Sequence, residues 1–151
     1  MRITDRMKQN DAVLIVLQMI SLQCLFYAGT GAMLATAHVL FGTSLSLDAI
    51  FSTCLKPRWA VTGSHVDVGV VLASGVVGAA LLGSVVEKSR KCLDFSLTLY
   101  AVHATACLAY SSFNAPTGVW WITHICALIV MIVLGEYVCS RRELRDIPLV
   151  A

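Results

Sequence analysis

Residues 12–41 read AVLIVLQMISLQCLFYAGTGAMLATAHVLF, a run without a single Asp, Glu, Lys or Arg. A helix of about 20 apolar residues is enough to cross the roughly 30 Å hydrocarbon core of a bilayer. Inside that core only helices and closed barrels satisfy their backbone hydrogen bonds. Further apolar stretches follow at 66–86, 93–113 and 120–138. The sequence therefore predicts an all-α, polytopic membrane protein, a bundle of four transmembrane helices.

The composition also indicates a membrane protein rather than a soluble one. Of the 151 residues, 58% are hydrophobic and only 13% are charged, whereas soluble domains average about 25% charged residues. No linker is long enough to separate two folded units, so we expect residues 1–151 to form one four-span domain in the lipid bilayer. The run at 12–41 is much longer than a signal-peptide core of about 7 to 15 residues, and we interpret it as a retained helix. The net charge of +2 gives no support for a nucleic-acid partner.

The basic residues predict the orientation of the chain. Lys and Arg concentrate in the segments of membrane proteins that stay in the cytosol. All but two of the 11 Lys and Arg residues fall in the N-terminal segment, the second loop or the C-terminal segment. The exceptions are Lys56 and Arg58 in the first loop. We therefore predict that both termini are cytosolic, and that the luminal interface carries an aromatic belt of Tyr110, Trp120 and Trp121.

Small and polar residues mark the faces that could join the helices. Gly75, Ala79 and Gly83 recur every four residues and so share one face of the second span, which would let another helix approach closely. Glycine is also simply common in membrane helices. The partner of this stripe could be another span or a second copy in a homo-oligomer, and the sequence leaves both open. In the first span, Gln18 and Gln23 could form hydrogen bonds between helices.

The cysteine pattern gives no sign of a metal or redox site. No C-x-x-C motif occurs, which leaves zinc and redox chemistry without support. Only Cys54 lies outside the spans on the predicted luminal side, so a structural disulfide is not expected there. Cys92 and Cys139 lie at the predicted cytosolic edge of the membrane. They are either palmitoylation sites or small buried thiols.

Motifs for catalysis or cofactor binding are missing from the sequence as well. It has no Gly-rich phosphate loop, no nucleophile elbow and no histidine pair at metal-ligand spacing, so we predict neither an enzyme nor a bound cofactor or metal. His103 merits a test because an ionisable residue in mid-membrane is a functional candidate. A satisfied interhelical hydrogen bond is the simpler interpretation. The polar residues within the spans, which include Gln18, Gln23, Ser74 and His103, are scattered rather than aligned, and this argues against a transporter or channel.

Three segments resemble the Sys family of Golgi integral membrane proteins, which have four spans and about this length. They are KCLDF at 91–95, the pair Trp120-Trp121, and the tail GEYVCSRRELRDIPL at 135–149. The first span adds Asp11, Gln18, Gln23, Tyr27 and Gly31 at similar spacing. The chain departs from the family at Ala12, where the relatives have proline.

The resemblance implies a non-enzymatic receptor in the trans-Golgi membrane. Family members recruit an Arf-related small GTPase with an acetylated N-terminus, and so support vesicle trafficking and the recruitment of golgin tethers. A short helix without a lipid chain binds membranes weakly, and a protein receptor would supply the missing affinity. We expect the contact surface to be cytosolic and to contain Leu93, Asp94, Phe95, Glu136, Tyr137, Arg141, Arg142, Glu143, Leu144, Ile147, Pro148 and Leu149. The acidic members could instead pair with neighbouring basic residues, and the alternative functions are a small transporter or channel and a membrane scaffold.

Overall fold

A computed structural model describes residues 3–42, 48–53, 62–86, 89–112 and 115–145. Within these residues the regular elements are helices only. They are α1 (Ile3–Phe41), α2 (Asp48–Phe51), α3 (Thr62–Val85), α4 (Ser89–Tyr110) and α5 (Gly118–Arg145).

All helices except the short α2 are long and apolar enough to cross a membrane. The candidate spans are Val13–Phe41, Val66–Val85, Lys91–Tyr110 and Gly118–Leu144. The predicted all-α, four-span architecture is therefore confirmed, while the cytosolic position of the termini stays a prediction.

The last helix is longer than the apolar pattern indicated. We expected a span at 120–138, but α5 continues to Arg145. Residues 139–145 read CSRRELR, and Arg, Glu and Leu are all good helix formers. Because charged residues can follow apolar ones without interrupting the backbone hydrogen bonds, an apolar run shows where a span ends and not where its helix ends.

Helix α3 lies at the centre of the bundle, packed against α1 on one side and α5 on the other. Its close approach to α5 depends on glycine, because a Cβ added at Gly75 would lie 2.5 Å from the carbonyl oxygen of Ala127. Farther along the same stripe, Ala79 is buried and Gly83 faces Val138. The small-residue face of α3 is therefore occupied by α5 of the same chain.

The bundle has two chemically different halves. We call the half that contains the end of α3, the beginning of α4 and the end of α5 the termini end, and the opposite half the α2 end. The core of the termini end is apolar. Its buried residues include Leu22, Leu82, Phe95, Leu99 and Met131.

The core of the α2 end contains polar and aromatic side chains. The Nδ1 atom of His103 lies 3.3 Å from the hydroxyl of Tyr27, and Nε2 of His38 lies 3.2 Å from Oδ1 of Asp67. The ring of His124 stacks on that of Trp120, with centroids 4.1 Å apart. Mid-span His103 thus has a partner on another helix, as expected for an interhelical hydrogen bond.

Trp120 does not belong to the predicted aromatic belt. Its side chain is only 1% exposed, because it lies inside the bundle against His124. Tyr110 and Trp121 are exposed as that expectation requires. The belt prediction was therefore wrong for Trp120, because its ring packs against His124 inside the bundle while Trp121 faces outward.

Candidate functional site

Those predicted contact residues that the structure describes lie at the termini end, where α4 begins and α5 ends. Cys92 of α4 and Cys139 of α5 join the two helices there, with their Sγ atoms 2.8 Å apart. The thiol of Cys92 also lies 3.8 Å from the carbonyl oxygen of Gly135. Because other predicted residues flank these positions in sequence, the cysteine contact places both halves of the expected surface at the same end of the bundle.

The start of α4 presents Leu93 and Asp94 outward. Both side chains are exposed, whereas their neighbours Cys92 and Phe95 are buried. Phe95 is only 3% exposed and belongs to the apolar core of the termini end. It supports the surface from beneath and cannot itself be a contact residue without leaving the core.

The last turns of α5 carry an exposed face that is both apolar and charged. Tyr137, Arg141 and Leu144 occupy positions i, i+4 and i+7, which lie on one side of a helix. Leu144 is 64% exposed. The guanidinium carbon of Arg141 lies 5.3 Å from the centroid of the Tyr137 ring, a distance typical of a cation–π contact. Glu136 is exposed and Glu143 is partly buried beside this face.

Arg142 points in a different direction from Arg141. Its Nη1 atom donates a hydrogen bond to the carbonyl oxygen of Gly83, at 2.6 Å. Nε2 of Gln18 lies 3.5 Å from the carbonyl oxygen of Val85, the last residue of α3. The last carbonyl groups of a helix have no partners within it and carry partial negative charge. Both side chains therefore cap the end of α3, and Arg142 ties α5 to it.

Gln23 acts within its own helix rather than between helices. Its Nε2 atom lies 3.3 Å from the hydroxyl of Tyr27, one turn later in α1. Tyr27 in turn contacts His103 of α4. The contribution of Gln23 to joining helices therefore passes through Tyr27.

The cysteine pair bears on the choice between palmitoylation sites and buried thiols. Cys92 is 0% exposed and Cys139 is 1% exposed. Each thiol faces the other inside the bundle, so neither sulfur is presented to an acylating enzyme. The structure favours buried thiols. The pairing was not visible in the sequence because 47 positions separate the two residues.

Part of the expected surface lies outside the described residues. Ile147, Pro148 and Leu149 belong to this part. Among the residues that the structure does describe, no group of three or more His, Cys, Asp or Glu side chains could hold a metal ion.

Comparison with known proteins identifies the family. Residues 5–149 match the family described as integral membrane protein S linking to the trans Golgi network, SYS1. A Dictyostelium discoideum protein named as a SYS1 homolog is 35% identical over 144 residues, which covers 92% of this chain and 59% of that protein. A SYS1 homolog from Nematostella vectensis is 33% identical over 141 residues, which covers 93% of this chain and 88% of that protein.

The chain thus spans about three fifths of the Dictyostelium relative and most of the Nematostella one. No solved structure matches it. The match to the family covers nearly the whole length and includes all the candidate spans. The chain therefore belongs to the SYS1 family of integral membrane proteins linked to the trans-Golgi network.

Proposed function

We propose that this protein is a trans-Golgi membrane receptor that recruits an Arf-related small GTPase with an acetylated N-terminus. Through that GTPase it supports vesicle trafficking and the recruitment of golgin tethers. The observation that carries the proposal is the termini end itself. There the last turns of α5 expose Tyr137, Arg141 and Leu144, and the first turns of α4 expose Leu93 and Asp94 at the same end of the bundle.

The chemistry of this surface suits an amphipathic helix as partner. Leu93, Tyr137 and Leu144 offer exposed apolar area. Asp94 and Arg141 offer charges of both signs, which favour a partner with a complementary pattern and raise its rate of association. An acetylated terminus carries no positive charge, so it could be buried among apolar groups at lower cost than a free amine.

The proposal requires the termini end to face the cytosol. Most Lys and Arg residues lie in the terminal segments and the second loop, and such segments usually stay cytosolic. A GTPase that approaches from the cytosol would meet the exposed last turns of α5 directly.

The proposal can be tested by depletion and rescue in the cell of origin, with the Arf-related GTPase imaged. We expect the GTPase to become cytosolic on depletion and to return to the Golgi when the wild-type protein is restored. Asp94→Lys and the double variant Tyr137→Ala/Leu144→Ala should fail to restore it while themselves reaching the Golgi. Val133→Ala is a matched control, because Val133 is exposed on the same helix but precedes the last turns that form the proposed surface.

A GTPase that stays on the Golgi after complete depletion would overturn the receptor proposal. Equal rescue by all variants would mean that the protein recruits the GTPase through a surface other than the termini end. A transporter or channel is less well supported, because it would need a polar path along the bundle. In the described residues most of the buried polar side chains lie at the α2 end, and Leu22, Leu82 and Met131 belong to the apolar core of the termini end.

A further inference from the structure

A small cavity lies inside the bundle at the α2 end. Its volume is about 20 Å³, and one water molecule needs about 10–15 Å³. Its apolar lining includes the side chains of Phe26, Leu34 and Val71. The polar lining residues are Thr30, Asp67, Ser74, Tyr100, His103 and His124.

Two of the lining hydroxyl groups are buried without a partner among the described residues. Oγ1 of Thr30 and the hydroxyl of Tyr100 have no partner in good hydrogen-bond geometry there, and the Tyr100 hydroxyl lies near that of Ser74. The two residues are only 8% and 7% exposed. Polar groups this deeply buried nearly always have a partner, whether protein or ordered water.

Thr30 also differs from other threonines of the long helices. The hydroxyls of Thr36, Thr98, Thr105 and Thr123 each donate to the backbone carbonyl four residues earlier. This is the usual way in which threonine satisfies its hydroxyl in an apolar helix. Thr30 makes no such bond although it is more deeply buried than several of them. Thr30 is one of the residues that surround the cavity.

We propose that one water molecule is bound in this cavity and bridges Thr30 of α1 to Tyr100 of α4. The Tyr100 hydroxyl donates to the water, and the Thr30 hydroxyl forms the second bond. A water of this kind typically makes about three hydrogen bonds to buried polar groups, and two lining residues supply acceptors.

The first additional acceptor is Ser74. Its hydroxyl proton is already donated to the carbonyl of Val71, at 2.7 Å, so its oxygen is left to accept. The second is His124, whose Nδ1 lies 2.9 Å from the carbonyl of Trp120. In a neutral imidazole that bond places the proton on Nδ1 and makes Nε2 the acceptor.

The size and chemistry of the cavity select water over other ligands. It is too small for an organic molecule, since ligand pockets are typically about 300–1,000 Å³. The lining carries hydroxyl and imidazole groups, and no group of three metal-ligating side chains occurs in the described part of the chain. The bound water would connect α1, α3, α4 and α5 inside the bundle.

Radiolytic footprinting tests this site directly. A brief X-ray pulse turns bound water into hydroxyl radicals, which modify aromatic side chains beside it, and mass spectrometry locates the product. We expect Tyr100 in the purified protein to be modified several-fold faster than Phe95, which is also buried but does not line the cavity. Thr30→Val should lower the rate at Tyr100 toward that of Phe95. A wild-type rate at Tyr100 no higher than at Phe95 would overturn the proposal.

Thermal unfolding in detergent provides a second, independent measure. If the hydroxyls of Thr30 and Tyr100 share a water, Thr30→Val and Tyr100→Phe should each lower Tm. The Tm of the double variant should then be only slightly below that of the less stable single variant. If the hydroxyls are unpartnered, their removal leaves Tm unchanged or raises it, and the proposal fails. Thr36→Val is the control, since Thr36 is exposed and bonded to its own helix.

Discussion

The Sγ atoms of Cys92 and Cys139 lie 2.8 Å apart and are shielded on all sides by protein. The contact joins the first turn of α4 to the extended last turns of α5. Since Leu93 and Asp94 follow one cysteine and Tyr137 precedes the other, this contact sets the relative position of the two halves of the proposed binding surface.

We predict that the cysteine pair can be crosslinked within one molecule. Iodine added to the purified protein should oxidise both thiols to a disulfide, with release of two protons and reduction of I₂ to two iodide ions. Peptide mapping without reductant should recover a linked peptide that contains Cys92 and Cys139. Cys92→Ala should abolish it. A linkage from either residue to Cys24 or Cys126, both of which are exposed, would contradict the arrangement of α4 and α5.

We predict that two glycines of α3 respond oppositely to the same substitution. At Gly75 a new Cβ would meet the backbone of Ala127, and overpacking of this kind costs about 1–3 kcal/mol. At Gly69 a new Cβ would meet nothing within 4 Å, so Gly69→Ala should be neutral or slightly stabilising. Unfolding in detergent measures both. Equal effects at the two positions would show that α3 and α5 are not packed through Gly75.

We predict that Arg142 stabilises the bundle more than Arg141 does. Arg142→Ala removes a charge-assisted hydrogen bond to the carbonyl of Gly83. The side chain is exposed to solvent, so we expect a loss of about 1 kcal/mol, below the roughly 1.5–3 kcal/mol typical of bonds to charged groups. Hydrogen exchange should also increase in the last turn of α3. Arg141→Ala, which removes only the contact with Tyr137, should leave that exchange unchanged, and the reverse order would refute the capping role.

We predict that both termini lie in the cytosol. N-glycosylation acceptor sites fused to either end should stay unmodified in cells, because the glycosylating enzyme acts in the lumen. An acceptor site placed between α4 and α5 should be modified, provided that it lies far enough from the membrane. A glycan on either terminus would reverse the orientation and would place the termini end away from any cytosolic GTPase.

The sequence was informative where one physical property decides the structure. Long uncharged runs such as 12–41 fix the number and type of the spans, because few other structures tolerate hydrocarbon. The sequence was uninformative where the structure depends on which side chains of different helices contact each other. Whether Trp120 or Trp121 faces the lipid depends on His124, and Arg142 could not be distinguished from Arg141 without knowing where α3 ends. The pairing of Cys92 with Cys139 likewise depends on the packing of α4 against α5.

Helix α5 has a mechanical consequence for any partner that binds its end. From Ala127, at the tight contact with Gly75, to Leu144 is a continuous helix of roughly 25 Å at 1.5 Å per residue. With Ala127 as fulcrum, a tilt of about 5° would move Leu144 by roughly 2 Å. The bond from Arg142 to Gly83 and the contact between Cys92 and Cys139 act as braces against that swing. The proposed contact surface at the end of α5 is therefore held by a continuous helix that is part of the membrane bundle.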